Sequence, residues 1–249
     1  MGKNMLFLPE VDSTNTYAMD LLRNVNVLEG TIIYTHNQTE GKGQRGSVWL
    51  SEASKNMTLS AILLPKFLTI NQSFYLSKIA AIASYDLLAE ILNPSQYDIK
   101  IKWPNDILVN KKKIAGILIE NNFNGDHILQ TVIGIGLNVN QEYFFELNST
   151  ATSIKIESGN DYEIQDIIEL FCSKLEKWYL KLKENKFEFI QSTYMAHLYG
   201  IFQVKKFEDH AGHPFLAEIV NVEENGKLTL KDLNNQLASY DIKEIKLTL

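Results

Sequence analysis

The segment Lys-Trp-Pro-Asn-Asp at residues 102–106 places a cation, an amide and a carboxylate together, and a second lysine, Lys113, follows seven residues after Asp106. The apolar runs on either side of this segment predict short strands. Pro104 has no N–H to donate to a sheet, so we expect strand pairing to break there. Because polar groups collected at a strand break form a site more often than a packing accident, the segment predicts an active site that handles anions.

A glycine-rich loop, Gly-Lys-Gly-Gln-Arg-Gly, occupies residues 41–46. Glycines allow backbone N–H groups to face an anion, and Lys42 and Arg45 add positive charge. The loop is not a P-loop, because no Lys-Ser or Lys-Thr pair closes it and no helix pattern follows it. A glycine-rich loop does not identify a function by itself, so its interpretation depends on the other motifs of the chain.

The bulk composition excludes several classes of protein. The chain has 249 residues, with 24 Lys and Arg against 30 Asp and Glu, which gives a formal net charge of −6 and argues against a nucleic-acid partner. Its single cysteine, Cys172, rules out an intrachain disulfide and favours a reducing compartment. The apolar stretch at residues 5–8 is too short for a signal peptide, and no apolar run reaches membrane-spanning length. We therefore expect a cytoplasmic protein with no membrane partner.

The chain pattern predicts a main domain at residues 1–199 and a small β-barrel domain at residues 200–249, because short strands and turn signals replace long helices after Gly200. Residues 37–47 and 141–160 are predicted to be loops. A helix is predicted to begin near residues 12–15, and others cover 72–92, 163–184 and 187–198. Strands are predicted over residues 31–35, 57–64, 99–103, 107–109, 113–119, 127–136, 202–207, 215–222, 227–231, 237–242 and 245–249.

Four motifs in this order resemble the biotin protein ligases, also called biotin–[acetyl-CoA-carboxylase] ligases. They are Ser-Thr-Asn at residues 13–15, the run from Gln38 to Trp49, residues 102–106 with Lys-Ile-Ala-Gly-Ile-Leu-Ile-Glu at 113–120, and Gly-Ile-Gly-Leu-Asn-Val-Asn at 134–140. The resemblance implies an α+β fold, with a mixed β-sheet and packed helices of the class II synthetase type, followed by a small SH3-like β-barrel. Only twelve residues precede Ser13, which suggests the monofunctional type without an N-terminal DNA-binding domain.

The resemblance also implies a two-step reaction. The biotin carboxylate attacks the α-phosphate of ATP to give biotinyl-5′-AMP and pyrophosphate, and a lysine of a biotin carboxyl carrier domain then takes the biotinyl group. The expected small molecules are biotin, ATP and Mg²⁺. No Cys or His spacing predicts a metal held by the protein alone, so Mg²⁺ is expected to enter with ATP.

Residue roles follow from the same resemblance. Lys113 is expected to touch the ligand carboxylate and the α-phosphate, Asp106 to act as general base towards the carrier lysine, and Arg45 to join them as a catalytic residue. The expected biotin-binding residues are Ser13, Thr14, Asn15, Gln38, Lys42, Gly43, Gln44, Lys113 and Gly116. The expected nucleotide-binding residues are Lys42, Gln44, Arg45, Trp49, Lys102, Asn105 and Asn138.

Simpler interpretations stay open for several of these residues. Lys113 can belong to a solvated turn with its two preceding lysines, Asp106 can pair with Lys102, Ser13 can cap a helix, and Trp49 can be a core residue. The chain also departs from the family pattern Gly-Arg-Gly-Arg, because lysine and glutamine stand at its two arginine positions, 42 and 44. In relatives the second arginine helps to retain the adenylate. The hypothesis here is that Arg45 supplies the missing charge.

Two other functions remain as alternatives. A lipoate–protein ligase resembles this fold and runs the same adenylate chemistry on a longer, sulfur-containing acid. A biotin-responsive repressor or non-catalytic biotin sensor is the second alternative, although the acidic composition argues against DNA binding.

Overall fold

A seven-stranded mixed sheet forms the main body of the computed structural model, which describes residues 1–145 and 150–248, and of Arg45 the backbone only. Strands β1 and β2 pair in parallel and the other neighbours are antiparallel, in the order β1-β2-β3-β7-β6-β5-β4. The strands are β1 Met5–Val11, β2 Ile32–Gln38, β3 Asn56–Leu63, β4 Ile99–Lys102, β5 Asp106–Val109, β6 Lys112–Asn124 and β7 His127–Asn138.

Strand β1 is not predicted from the sequence, because its apolar residues 5–8 are consecutive rather than alternating and Pro9 follows them. It pairs only with β2 and therefore lies at an edge of the sheet, where a proline is tolerated. Strand β3, in contrast, is buried along its whole length, which explains why its sequence is mainly apolar and contains no charged residue.

Helices cover the sheet and complete the core. Helix α2, Phe74–Ile91, is buried on most sides because it packs between the sheet and two later helices. The prediction of a loop over residues 141–160 is wrong in part, since a short helix spans Ile154–Ser158. The Ser153 side chain caps that helix by accepting a hydrogen bond from Ile156 N, a local signal that apolar periodicity misses. This short helix is α3. The other helices are α1 Thr14–Asn24, α4 Ile164–Lys183 and α5 Phe187–Ala196.

A second, five-stranded antiparallel sheet follows α5, in the order β11-β10-β9-β8-β12. It confirms the predicted class, an α+β fold with a mixed sheet and helices followed by a small SH3-like β unit. Its strands are β8 Val204–Asp209, β9 Pro214–Val222, β10 Leu228–Asp232, β11 Leu237–Tyr240 and β12 Ile245–Leu247.

The turn between β9 and β10 fixes the second sheet against the main body. Trp103 Nε1 donates a hydrogen bond to Gly226 O at 2.9 Å. Gly226 has φ +91°, and a methyl group at its Cα would overlap the Phe74 ring, so both its conformation and its surroundings require glycine. The buried ammonium of Lys78 donates to Glu223 O at 3.0 Å in the same turn. Trp103, the residue before Pro104, is thus hydrogen-bonded directly to the second sheet.

None of the helices in the described part of the chain has the length and apolar character needed to cross a membrane.

Candidate active site

A cavity of about 380 Å³ opens where the middle of the main sheet meets strand β12 of the second sheet. All four sequence motifs contribute to its lining, although they are separated by up to about a hundred residues in the chain. The predicted site residues that line it are Ser13, Thr14, Asn15, Gln38, Lys42, Gly43, Gln44, Trp49, Lys102, Asn105, Asp106, Lys113 and Gly116.

One end of the cavity is lined by uncharged side chains that form a hydrogen-bond network at the start of α1. Gln38 Oε1 accepts hydrogen bonds from Thr14 N at 2.9 Å and Thr14 Oγ1 at 3.1 Å. Asn15 Oδ1 lies 2.6 Å from Ser60 Oγ, and its Nδ2 donates to Glu120 Oε2 at 2.8 Å. The Thr14 and Asn15 side chains are therefore engaged inside the protein and hold the shape of this end.

Two polar groups at the same end face the cavity with hydrogen-bonding capacity to spare. Ser13 is the N-cap residue of α1, but its hydroxyl makes no cap hydrogen bond, so the simple capping interpretation does not account for it. The Nε2 group of Gln38 likewise has no hydrogen-bond partner among the described residues, since its Oε1 carries both bonds to Thr14. A hydroxyl and an amide N–H are thus available to a ligand.

Three glycines of β6 and β7 form the floor of the cavity, because side chains there would fill it. Gly116 and Gly136 are cross-strand partners, and the Trp49 indole lies on both of them. A methyl group at Gly136 would overlap that indole, and one at Gly134 would overlap Asn15 Oδ1. Trp49 is half-buried, and its Nε1 has no partner among the described residues.

We expect Gly134→Ala to raise the dissociation constant of the ligand bound at the uncharged end by about tenfold or more, and to cost about 1–3 kcal/mol of stability. The reason is the overlap with Asn15, whose hydrogen bonds to Ser60 and Glu120 prevent it from moving freely. Calorimetric titration with biotin and thermal unfolding would measure the two effects.

The double variant Gly134→Ala/Asn15→Ala provides the control, because removing the Asn15 amide relieves the overlap. If the overlap is the cause, the two changes are non-additive in stability. Additive losses would contradict this account.

Asp106, Lys102 and Lys113 form a cluster of charged side chains in another part of the cavity. Lys113 Nζ lies 2.7 Å from Asp106 Oδ1, and Lys102 Nζ lies 4.0 Å from Asp106 Oδ2. The carboxylate therefore pairs more closely with Lys113 than with Lys102, the partner that its spacing suggested. Lys113 also lies 5.5 Å from the centre of the Trp49 ring, and so it does not belong to a simple solvated turn.

Lys113 and Gly116 share the cavity because strand β6 bulges between them. Ile107 pairs with Ala115, whereas Leu108 pairs with Lys113, so Ile114 is an extra residue in the ladder. Strict alternation would place positions 113 and 116 on opposite faces of the sheet, and one inserted residue corrects this. The bulge thereby places the Lys113 side chain on the cavity side of the sheet, next to Gly116.

Burial lowers the pKa of Lys102. The Asp106 carboxylate raises it, and the ammonium groups of Lys113 and Lys246 lower it further. Burial and the two ammonium groups would all be offset by an anion bound among them.

The glycine-rich loop is more ordered than its composition predicts. Gly43 N donates to Ser47 O at 2.7 Å, and Trp49 N donates to Gly41 O at 2.9 Å, which closes the loop on itself. The Lys42 ammonium donates to Thr16 Oγ1 at 2.8 Å, so it bridges the loop to α1. The side chain of Arg45 lies outside the described part of the structure.

Asn138 differs from the other predicted residues because it does not line the cavity. Its Nδ2 donates to Thr152 O at 2.9 Å, while its buried Oδ1 has no hydrogen-bond partner among the described residues. Buried acceptors in proteins normally have a donor, so this oxygen is a candidate for a ligand contact.

The sequence motifs predict no site residue in the second sheet, yet Ile242, Ile245, Lys246 and Leu247 line the cavity. The strand alternation of residues 245–247 was visible in the sequence, but nothing in it indicated the contact with the main sheet. For metals, residues 1–145 and 150–248 contain no group of three or more His, Cys, Asp or Glu side chains that are placed to hold an ion.

Comparisons with known proteins agree with this geometry. Residues 7–138 match the model of the biotin/lipoate A/B protein ligase family. The bifunctional ligase/repressor BirA of Bacillus subtilis is 30% identical over 234 residues, which are 93% of this chain and 70% of that protein. The biotin–[acetyl-CoA-carboxylase] ligase of Paracoccus denitrificans is 28% identical, over 88% of this chain and 87% of its own length.

Among solved structures, the biotin protein ligase from Aquifex aeolicus in complex with biotin and ATP superposes with a TM-score of 0.80. The two chains are 26% identical, and the match covers 99% of each. The family model covers more than half of the chain, and the relatives match most of the remainder. The chain therefore belongs to the biotin/lipoate A/B protein ligase family.

Proposed function

We propose that this protein is an ATP-dependent biotin–protein ligase, which forms biotinyl-5′-AMP and transfers biotin to a lysine of a biotin carboxyl carrier domain. The observation that carries this proposal is the polarity of the cavity, which has an uncharged hydrogen-bonding end and a lysine-rich end. Biotin has the same polarity, with a neutral ureido ring and a carboxylate.

The uncharged end suits the ureido ring. That ring offers one carbonyl acceptor and two N–H donors, and the Ser13 hydroxyl and Gln38 Nε2 are the groups that face the cavity with free hydrogen-bonding capacity. Thr14 and Asn15 act by holding these two in place rather than through free polar atoms of their own. The glycines of the floor let Trp49 and Asn15 lie close against the sheet, so these two side chains shape the space at this end.

The lysine-rich end suits adenylate formation. The biotin carboxylate and the α-phosphate are both anions, so their approach requires a cation between them. Lys113 is the candidate, because its ammonium projects into the cavity above Gly116 and beside Asp106. Lys102 supports it from the adjacent strand end, and Asn105 fixes that end by exchanging hydrogen bonds with Ile117 at 2.9 Å.

Mg²⁺ is expected to enter with ATP. Such an ion takes most of its ligands from phosphate oxygens and water, with one or two protein carboxylates. The described lining of the cavity contains one carboxylate, that of Asp106, and this donor set fits an ion carried by the nucleotide rather than one held by the protein. When bound, the ion neutralises phosphate charge.

The base of the nucleotide is proposed to lie near Asn138 and Trp49. The unpartnered Oδ1 of Asn138 fits the exocyclic amino group of adenine, which is a donor. Trp49 already lies against the glycine floor and offers an aromatic face. Lys42, Gly43 and Gln44 line the same cavity from the loop, and Arg45 is proposed to supply the charge that Gln44 lacks.

Transfer to the carrier is proposed to depend on Asp106. An ordinary lysine amine has a pKa of about 10.4 and is mostly protonated at neutral pH, so a carboxylate close to the adenylate helps to deliver the free amine. Asp106 pairs with Lys113 in the structure. Anions that draw Lys113 towards themselves would leave this carboxylate free to accept the proton.

We expect Asp106→Asn to lower the rate of transfer from isolated biotinyl-5′-AMP to the carrier by about 100-fold. Adenylate formation should change by less than about tenfold, because asparagine retains an oxygen that accepts from Lys113. Pyrophosphate release and single-turnover transfer measure the two steps separately. Equal losses in both half-reactions would contradict this division of roles.

The carrier partner and the division of the chain are also part of the proposal. We propose residues 1–199 as the catalytic domain and residues 200–249 as a small domain that completes the cavity. The acceptor is proposed to be the carrier domain of a biotin-dependent carboxylase, which presents its lysine at the cavity mouth.

Intact-mass analysis tests the function directly. A biotin carrier domain is incubated with the protein, Mg-ATP and equimolar biotin and lipoate, and a biotin-sized mass gain that requires ATP is expected. A lipoyl-sized gain would instead assign the chain to lipoate ligation, which the biotin ligase names of its relatives do not favour. No gain of either kind would contradict the proposal.

A further inference from the structure

Strand β12 presents one lysine of the second sheet to the active-site cavity. Ile245 and Leu247 are each 4% exposed and anchor the strand in the core, so the residue between them projects outwards. That residue is Lys246, which is exposed and lines the cavity together with both neighbours. The second sheet thus contributes an exposed lysine to the cavity lining.

The charge of Lys246 is close enough to act on the catalytic strand end. Its ammonium lowers the pKa of Lys102, as does that of Lys113. Four lysines and one aspartate are the charged residues of the described lining, although the whole chain has a formal net charge of −6. The cavity therefore concentrates positive charge well beyond what one biotin carboxylate requires.

The position of Lys246 is fixed by contacts between the two sheets. Trp103 donates to the turn between β9 and β10 through Gly226 O, and Lys78 donates to Val222 O at 3.3 Å and Glu223 O at 3.0 Å in the same turn. These bonds hold the second sheet against the segment that carries Lys102 and Asp106. A long, flexible lysine on a fixed strand can then reach a polyanion at the cavity mouth.

We propose that Lys246 binds the terminal phosphates of ATP and then the pyrophosphate that leaves, which makes the second sheet a part of the adenylation site. This inference rests on the proposed biotin ligase function. In that step a carboxylate oxygen of biotin forms a bond to the α-phosphorus, and the bond from the α-phosphorus to the α,β-bridging oxygen breaks. The bridging oxygen keeps the electron pair, so negative charge grows on the pyrophosphate.

The placement of Lys246 relative to the other lysines assigns it to the terminal phosphates. Lys113 projects over the floor beside Trp49, where the carboxylate and α-phosphate are proposed to meet. Lys246 lines the same cavity from the second sheet, and its charge is close enough to Lys102 to lower the pKa of that lysine. A triphosphate that starts at Lys113 and passes Lys102 would bring its terminal phosphates to Lys246.

A structural role for Lys246 is the competing explanation. Its cross-strand partner in the ladder with β8 is Glu208, and such pairs can stabilise a sheet. No ion pair joins the two side chains in the described part of the chain. The Glu208→Gln variant therefore separates the explanations, because it removes the potential partner while leaving the lysine.

The test compares two ligands that differ in their terminal phosphates. With biotin at saturation, we expect Lys246→Ala to weaken binding of α,β-methylene-ATP about tenfold, the loss of one charge-assisted contact, and to leave the affinity for AMP unchanged. Lys246→Arg should restore most of the loss. Lys243→Ala removes a nearby exposed lysine that does not line the cavity, and it should change neither affinity.

Kinetics supply the second readout. Lys246→Ala should raise the ATP KM and the pyrophosphate inhibition constant together, while the biotin KM stays within about twofold. Equal affinities of wild type and Lys246→Ala for the ATP analogue would overturn this inference. A similar loss in Glu208→Gln would do so in favour of the cross-strand pair. A wild-type protein that forms no biotinyl-5′-AMP at all would instead overturn the proposed function.

Discussion

Replacing Lys113 with alanine is expected to lower the rate of biotinyl-5′-AMP formation by about 100- to 1000-fold. Lys113 is the lysine whose ammonium lies over the glycine floor, 2.7 Å from Asp106 and 5.5 Å from the centre of the Trp49 ring. Without it, the carboxylate of biotin and the α-phosphate of ATP would approach each other with no cation between them. A preorganised charge beside the reacting atoms stabilises the transition state far more than a charge at the cavity rim, because water is excluded from the reacting atoms.

Single-turnover measurement of pyrophosphate release would quantify this loss. Lys111→Ala is the matched control, since Lys111 is exposed in the adjacent turn and does not line the cavity. It should retain near wild-type rates. The expectation fails if Lys113→Ala keeps more than about a tenth of the wild-type rate, or if Lys111→Ala is equally impaired.

Replacing Lys78 with alanine is expected to cost about 3–5 kcal/mol in the free energy of unfolding. The side chain is fully buried, and its ammonium donates to Gln191 Oε1 at 2.6 Å, Glu223 O at 3.0 Å and Val222 O at 3.3 Å. It also lies 4.7 Å from the centre of the Tyr75 ring. Truncation would open a cavity and leave acceptors unpaired between α2, α5 and the turn that carries the second sheet.

Chemical denaturation at pH 7 would measure this cost, with Lys78→Met as the matched variant. Methionine fills a similar volume and needs no buried charge, so its loss should be smaller than that of alanine. If the two variants were equally destabilised, the unpaired acceptors rather than the cavity would dominate. A loss below about 1 kcal/mol in Lys78→Ala would contradict the proposed anchor.

The same lysine has a consequence for pH dependence. Burial lowers the pKa of Lys78 to about 8, whereas a lysine in an unfolded chain has a pKa of about 10.4. Between these values the unfolded state binds more protons than the folded state, so this group makes stability rise with pH over that window. The stability difference between wild type and Lys78→Met should therefore increase from pH 8 to pH 10.

Local sequence was enough to predict the polar groups at the strand end that holds Lys102 and Asp106. It was also enough to predict most of the helices and strands. The local order of residues 102–106 and 113–120 is sufficient to predict a site, because a proline ends a strand and polar groups follow it immediately. Apolar periodicity also located the long helices α2 and α4 to within two residues at each end. The change to short strands after Gly200 was likewise visible in composition, and a five-stranded antiparallel sheet follows it.

Other features depended on contacts between distant segments. Strand β1 is recognised only through its parallel pairing with β2, and helix α3 only through its cap. Whether Thr14 and Asn15 offer free polar atoms was also undecided in the sequence, because their partners Gln38, Ser60 and Glu120 lie far along the chain. Periodicity describes one segment at a time and has no information about such partners.

The tertiary structure alone decided the arrangement of charge in the cavity. The extra residue in β6 turns Lys113 to the same face as Gly116, and strand pairing sets Gly116 beside Gly136 so that an indole can lie on both. Lys246 reaches this cavity only because the second sheet is tied to Trp103. The sequence by itself determined which residue types are present and roughly where most of the strands lie. Their positions relative to one another come from register and packing, which are set by pairs of segments that no local pattern connects.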